Sequence, residues 1–75
     1  METGLKNMNH RKIIGTRIAE LRTQKGWSQA DLAKECGLFQ GNIARIEAGI
    51  YSTGIDLLGR IADALNASLE INPNS

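Results

Sequence analysis

Seventy-five residues form one domain at most, and a chain this short has too little interior to hold a deep pocket beside its core. With 41% hydrophobic, 23% charged and 4% aromatic residues the composition is globular, while a single cysteine (Cys36) and a single histidine (His10) exclude a disulfide framework, a cysteine-based zinc site and a histidine-cluster metal centre. The formal charge of +1 argues against a purely electrostatic nucleic-acid binder, although it is unevenly spread: residues 1–27 carry net +4 (six basic, two acidic) and residues 28–75 net −3 (three basic, six acidic).

That basic third either touches an anion or is a solvated helix face. No stretch approaches the roughly 18 apolar residues of a membrane span and no signal peptide is expected, so the chain reads as cytoplasmic. Residues 1–9 have no periodicity and are expected to be a flexible N-terminal arm. From His10 to Lys25, Ile14, Ile18 and Leu21 recur at helical spacing, and Gly26 supplies the positive φ that ends the helix. Ser28-Gln29-Ala30-Asp31 is a capping-box variant with Trp27 placed to staple onto Leu32, and Gly37 stops this second helix after about two turns. A third short helix is predicted over Gln40–Ala48, burying Ile43 and Ile46 and closed by Gly49. Thr53-Gly54-Ile55-Asp56 repeats the capping pattern and opens a fourth helix to about Leu65, with Asn66 in the left-handed slot. Leu57, Ile61 and Leu65 make one apolar stripe on that helix; Ile55, Leu58 and Ala62 make a second, which suggests a partner surface. The alternation Ser68-Leu69-Glu70-Ile71-Asn72 predicts a short strand ended by Pro73. The chain thus divides into an arm (1–9), a helical domain (10–67) and a C-terminal strand or tail (68–75).

Catalytic chemistry finds no foothold. Cys36 falls on an inner helical face as packed core, and His10 has no partner constellation. Asn66-Ala67-Ser68 matches the N-glycosylation pattern by chance, and there is no glycine-rich phosphate loop. No catalytic residue, metal or other cofactor is expected, and the chain is read as a non-enzyme.

Two short helices joined at Gly37, with the small Ala33 where they cross, form a helix-turn-helix arrangement. The string Ser28-Gln29, Leu32-Ala33, Gly37, Ile43, Ile46-Glu47, Gly49, Leu57 and Ile61-Ala62-Asp63-Ala64-Leu65 falls in register with the phage repressor/Cro-like helix-turn-helix (XRE) family, which this sequence strongly resembles over about residues 11–68. The resemblance implies an all-α, four- to five-helix lambda-repressor-like DNA-binding domain, here with the short C-terminal strand added. It implies a homodimeric regulator of transcription on double-stranded operator DNA. The helix from Gln40 then enters the major groove, with Phe39, Gln40, Gly41 and Arg45 at base edges. Glutamine pairs bidentately with adenine and arginine with guanine, and Arg45 is expected on the same exposed face as Gln40, one and a half turns on. Gln29, Asn42, Ser52 and Thr53 become phosphate contacts. Arg22 and Glu47 resemble a structural ion pair that orients the reading helix.

Three departures from the family pattern stand out. Phe39 replaces the usual Ser or Thr cap and is placed to meet a thymine methyl, tuck into the core or face a protein partner. Gly41 removes a side chain that often reads a base, and the usual Pro before the fourth helix is missing. Leu58, Ala62, Leu69 and Ile71 are the expected dimer interface. Chains of this size also resemble antitoxins, which would add a toxin partner, and, with a poorer fit to the Leu69/Ile71 strand, restriction–modification controller proteins. A protein–protein adaptor that no longer reads DNA is the alternative that Phe39, Gly41 and the low net charge favour.

Overall fold

The computed structural model describes residues 10–70, which contain four helices: α1 (His10–Gln24), α2 (Gln29–Cys36), α3 (Gln40–Ala48) and α4 (Ile55–Ala64). The proposed arm (1–9) and the residues from Ile71 onward lie outside the described residues. No fifth helix and no strand occurs among the described residues, and 67–70 follow α4 without regular structure. The expected strand is therefore absent as far as Glu70. An alternating segment becomes a strand only against a pairing neighbour, and this all-helical unit offers none.

All four helices end in the same hydrogen-bond pattern. At α2 the Gly37 amide (φ +72°) donates to the carbonyl of Lys34 at 3.3 Å and the Leu38 amide to that of Ala33 at 2.8 Å, a Schellman motif. At α4 Asn66 (φ +58°) takes the glycine's place and the Ala67 amide donates back to Ala62 at 2.8 Å. The starts are less uniform. Ser28 caps α2 reciprocally: its Oγ accepts from the Asp31 amide at 3.0 Å, and its own amide donates to the Asp31 carboxylate at 2.8 Å. Those bonds from Ser28 hold the Asp31 carboxyl below the usual carboxylate range. Phe39 precedes α3 without any capping bond from its side chain. The expected capping box at Thr53 is not formed: α4 begins one residue later with Gly54 at the cap, and the Thr53 hydroxyl is buried without a partner among the described residues.

Leu32, Ile43 and Ile61, one each from α2, α3 and α4, are fully buried, and Ile18, Ala33, Cys36, Ile46 and Leu65 complete the core. Burial pushes the Cys36 thiol up, away from the reactive thiolate, although the Arg60 charge opposes the shift. Trp27 packs half-buried on this core. Ile14, expected in the core stripe of α1, is 39% exposed instead. Its neighbour Gly15 is buried, because α1 meets the C-terminal end of α3 there. A Cβ on Gly15 would lie 2.7 Å from the Glu47 carbonyl oxygen and collide with that of Ile46.

Candidate nucleic-acid interface

The α2–α3 pair is held in place by an ion pair reaching across from α1. Arg22 Nε donates to Glu47 Oε2 at 2.6 Å and Nη2 to Oε1 at 3.0 Å, a bidentate fork whose side chains are only 13% and 7% exposed. Arg22 Nη1 also donates to the carbonyl of Trp27 at 2.7 Å, so one guanidinium ties together the end of α1, the turn before α2 and the last turn of α3. The hydrogen bonds to Glu47 raise the Arg22 pKa further, against a smaller opposing effect of burial. This is the placement the resemblance implied for Arg22 and Glu47.

From that pair a line of amides runs out to the surface. Gln29 Nε2 donates to Glu47 Oε1 at 3.0 Å, and Gln40 Nε2 donates to Gln29 Oε1 at 2.8 Å. Each bond fixes which end of the next amide accepts. Gln40, itself exposed, keeps its Oε1 and second N–H available, an acceptor–donor pair of the kind that matches adenine N6 and N7. A second unit lies toward the other end of α3. Arg45 Nη2 donates to Asn42 Oδ1 at 2.7 Å, and the guanidinium sits 5.7 Å from the centroid of the Tyr51 ring. Gln40 and Arg45 do not share one stripe as expected: five residues put them about 140° apart around the helix. Gln40 leans toward α2 and Arg45 toward the loop after α3, so they flank the exposed edge of the helix. Between them Gly41 is bare, with nothing within 4 Å of where a Cβ would stand. Phe39 is 83% exposed, so it does not tuck into the core.

Ser52 and Thr53 line a shallow cleft with Tyr51 and Arg11. Arg11 and Tyr51 carried no motif signal: one is an early helix residue, the other a loop residue, and only the packing of α1 beside the α3–α4 loop joins them. The rest of the basic N-terminal third is partly spent within the molecule. Arg22 serves the ion pair, Lys25 lies 5.0 Å from the Trp27 ring centroid, and Arg17 pairs with Glu20 at 3.1 Å on the surface. An apolar groove adjoins the Ser52–Thr53 cleft and shares Ile14 and Leu58 with it: Leu58, Ala62 and Leu69 line this groove with Ile13, Ile14 and Leu21 of α1. Ala62 is buried at its floor, whereas Ile13 and Leu69 are 61% and 47% exposed at its rim; Ile71 lies outside the described residues. Among the described residues no cluster of three or more His, Cys, Asp or Glu is placed to hold a metal, and no helix is long and apolar enough to cross a membrane.

A two-helix unit braced from behind, whose second helix presents a fixed amide and a fixed guanidinium, defines a helix-turn-helix nucleic-acid-binding domain. The chain belongs to the helix-turn-helix family HTH_3, whose sequence model matches residues 18–72. It is 38% identical over 55 residues to an HTH-type transcriptional regulator of Archaeoglobus fulgidus, across 73% of this chain and 79% of that one. Among solved structures it is similar to the restriction–modification controller protein C.AhdI from Aeromonas hydrophila (31% identity, 81% of this chain and 88% of that one, TM-score 0.77). It is also similar to the clp gene regulator ClgR from C. glutamicum (27% identity, 79% and 76%, TM-score 0.76). The protein is a DNA-binding transcription regulator and not an enzyme.

Proposed function

We propose that the protein binds a two-fold operator as a homodimer in the cytoplasm, with α3 of each subunit in the major groove, and regulates transcription from its own promoter. The observation that carries this reading is the pair of preset groups on α3, Gln40 fixed by Gln29 and Arg45 fixed by Asn42 and Tyr51. Both groups lie at the surface and yet are hydrogen-bonded into one orientation. Gln40 and Arg45 read base edges, with Phe39 and Gly41 at the same surface. Gln29, Ser52 and Arg11 face phosphates, Asn42 serves Arg45, and Thr53, expected among the phosphate contacts, has only its backbone to offer there because its hydroxyl is buried. Dimerisation uses the α1–α4 groove around Leu58 and Ala62 together with Leu69 and Ile71. Similarity in fold to the restriction–modification controller protein C.AhdI, 88% of which is covered, supports a compact regulator of this kind. The antitoxin form would add a toxin as protein partner, encoded in the adjacent reading frame.

A gel shift with the chain's own upstream DNA, followed by site selection from random duplexes, tests the reading. Arg45→Ala is expected to cost about 1–3 kcal/mol on the selected site and to flatten preference at one base pair. Arg11→Ala should weaken selected and random duplexes alike and reduce the salt slope by about 1. Absence of any shift at about 50 mM salt favours the adaptor, whose docking surface would include Phe39.

A further inference from the structure

We propose that Phe39 reads the C5-methyl group of a pyrimidine, so that the protein distinguishes a 5-methylpyrimidine (thymine, or 5-methylcytosine in its place) from the same base without the methyl. This rests on the reading of α3 as the groove-entering helix. The ring is 83% exposed, yet its backbone is pinned: the Phe39 carbonyl accepts from the Asn42 amide at 3.0 Å and the Ile43 amide at 3.4 Å. The ring therefore stands at the N-terminus of α3 without serving that helix, since its side chain makes no capping bond. Its surroundings are not those of an apolar docking patch. Leu38 turns into the core, Gln40 follows with an amide engaged by Gln29, and Gly41 carries no side chain. Of the other exposed apolar residues, Ile13, Ile14 and Leu69 line the α1–α4 groove, and Ile50, Tyr51 and Ile55 belong to the α3–α4 loop and the start of α4.

Chemistry narrows the ligand. Among the four bases, the C5-methyl of thymine is the one apolar group that projects into the major groove beyond the ring edge. A phenyl ring has no hydrogen bond to offer, so the methyl is the group it can cover with gain. Bare Gly41 lets this end of the helix come close to the bases, and the fixed Gln40 amide sets the adjacent base pair. Cytosine methylated at C5 presents the same group at the same place, which would make binding responsive to that modification.

The test uses the full chain and a duplex selected from random sequence, with each thymine replaced singly by deoxyuridine, a change of one methyl group. At one thymine per half-site the replacement should weaken wild-type binding about fourfold, the worth of one buried carbon. Phe39→Ala should bind the thymine and uracil duplexes equally while melting like wild type, because neither side chain caps α3. With cytosine at that position, methylation at C5 should restore about fourfold for wild type and nothing for Phe39→Ala. If Phe39→Ala keeps the uracil penalty, or no thymine shows one although a specific site is selected, the proposal is overturned and DNA reading by α3 stands. If no site is selected and the upstream DNA is not shifted, both fall, and the exposed ring belongs to a protein interface.

Discussion

Gly15 sets the distance between α1 and α3 through a side chain it does not have. Its Cβ position is occupied by backbone carbonyls of Ile46 and Glu47, which cannot swing aside as a flexible side chain would. Gly15→Ala is expected to destabilise the fold by about 1–3 kcal/mol in urea denaturation, the range for overfilling a packed contact. Gly59→Ala is the control, because nothing lies within 4 Å of its missing Cβ. It should stabilise by about 0.5–1 kcal/mol, the ordinary helix preference for alanine over glycine. Sequence alone cannot separate these two glycines, since both interrupt a helical pattern and only the approach of a second helix makes one of them necessary. The Arg22–Glu47 pair behaves differently, being legible from its spacing within the family pattern. Glu47→Ala removes the group that raises the Arg22 pKa, yet an arginine stays charged at any ordinary pH, so the stranded guanidinium finds no relief by losing its proton. The cost should be about 2–3 kcal/mol, less than for a completely buried pair, and replacing both partners by apolar residues of similar size should recover part of it.

Helix starts show where local patterns are ambiguous. The sequence Ser/Thr-x-x-Asp occurs at Ser28–Asp31 and again at Thr53–Asp56, yet only the first forms a capping box. Tertiary packing decides: Gly54 takes the cap of α4, and the Thr53 hydroxyl is turned inward without a partner among the described residues. Ser28→Ala should therefore cost about 1 kcal/mol, whereas Thr53→Val should be neutral or stabilising because it removes an unpaired polar atom from the interior. Thermal melts of the two variants side by side check the contrast. The α2 cap also has a pH signature. Because the Asp31 carboxyl is held below its unfolded value, its contribution is complete above the ordinary carboxylate pKa and is lost as pH falls through the lowered one. The contribution of this cap should be lost in that range, and Asp31→Asn should blunt the decline of stability there. At α3 the cap is sacrificed to Phe39: Phe39→Thr should raise stability by about 1 kcal/mol while abolishing discrimination between thymine and uracil.

Across the whole molecule, the four helices and the family were legible, because periodicity, glycine stops and a dense motif all agree on them, and the same motif singled out the residues now proposed to read DNA. What was hidden is how those residues are held: nothing in the spacing says that Gln40 leans on Gln29, that Arg45 lies over Tyr51, or that Arg11 approaches Ser52 from another helix. The same limit applies to assembly. An alternating tail read as a strand meets no strand among the described residues, and of the second stripe of α4 Ile55 is exposed while Leu58 and Ala62 line a groove whose rim, Ile13 and Leu69, is exposed. If that groove is where two copies meet, light scattering of the full chain at high micromolar concentration should give a dimer. The double variant Ile13→Glu, Leu69→Glu should give a monomer with an unchanged melting curve, since both residues are exposed in the single chain. DNA binding then supplies an independent readout. A dimer whose subunits each neutralise a few phosphates should show log K falling with log salt at a slope of about −4 to −7. The monomeric variant should show roughly half that slope, because each binding event then releases the counterions of one half-site. A full chain that scatters as a monomer, or a variant that keeps the full slope, would move the interface away from this groove.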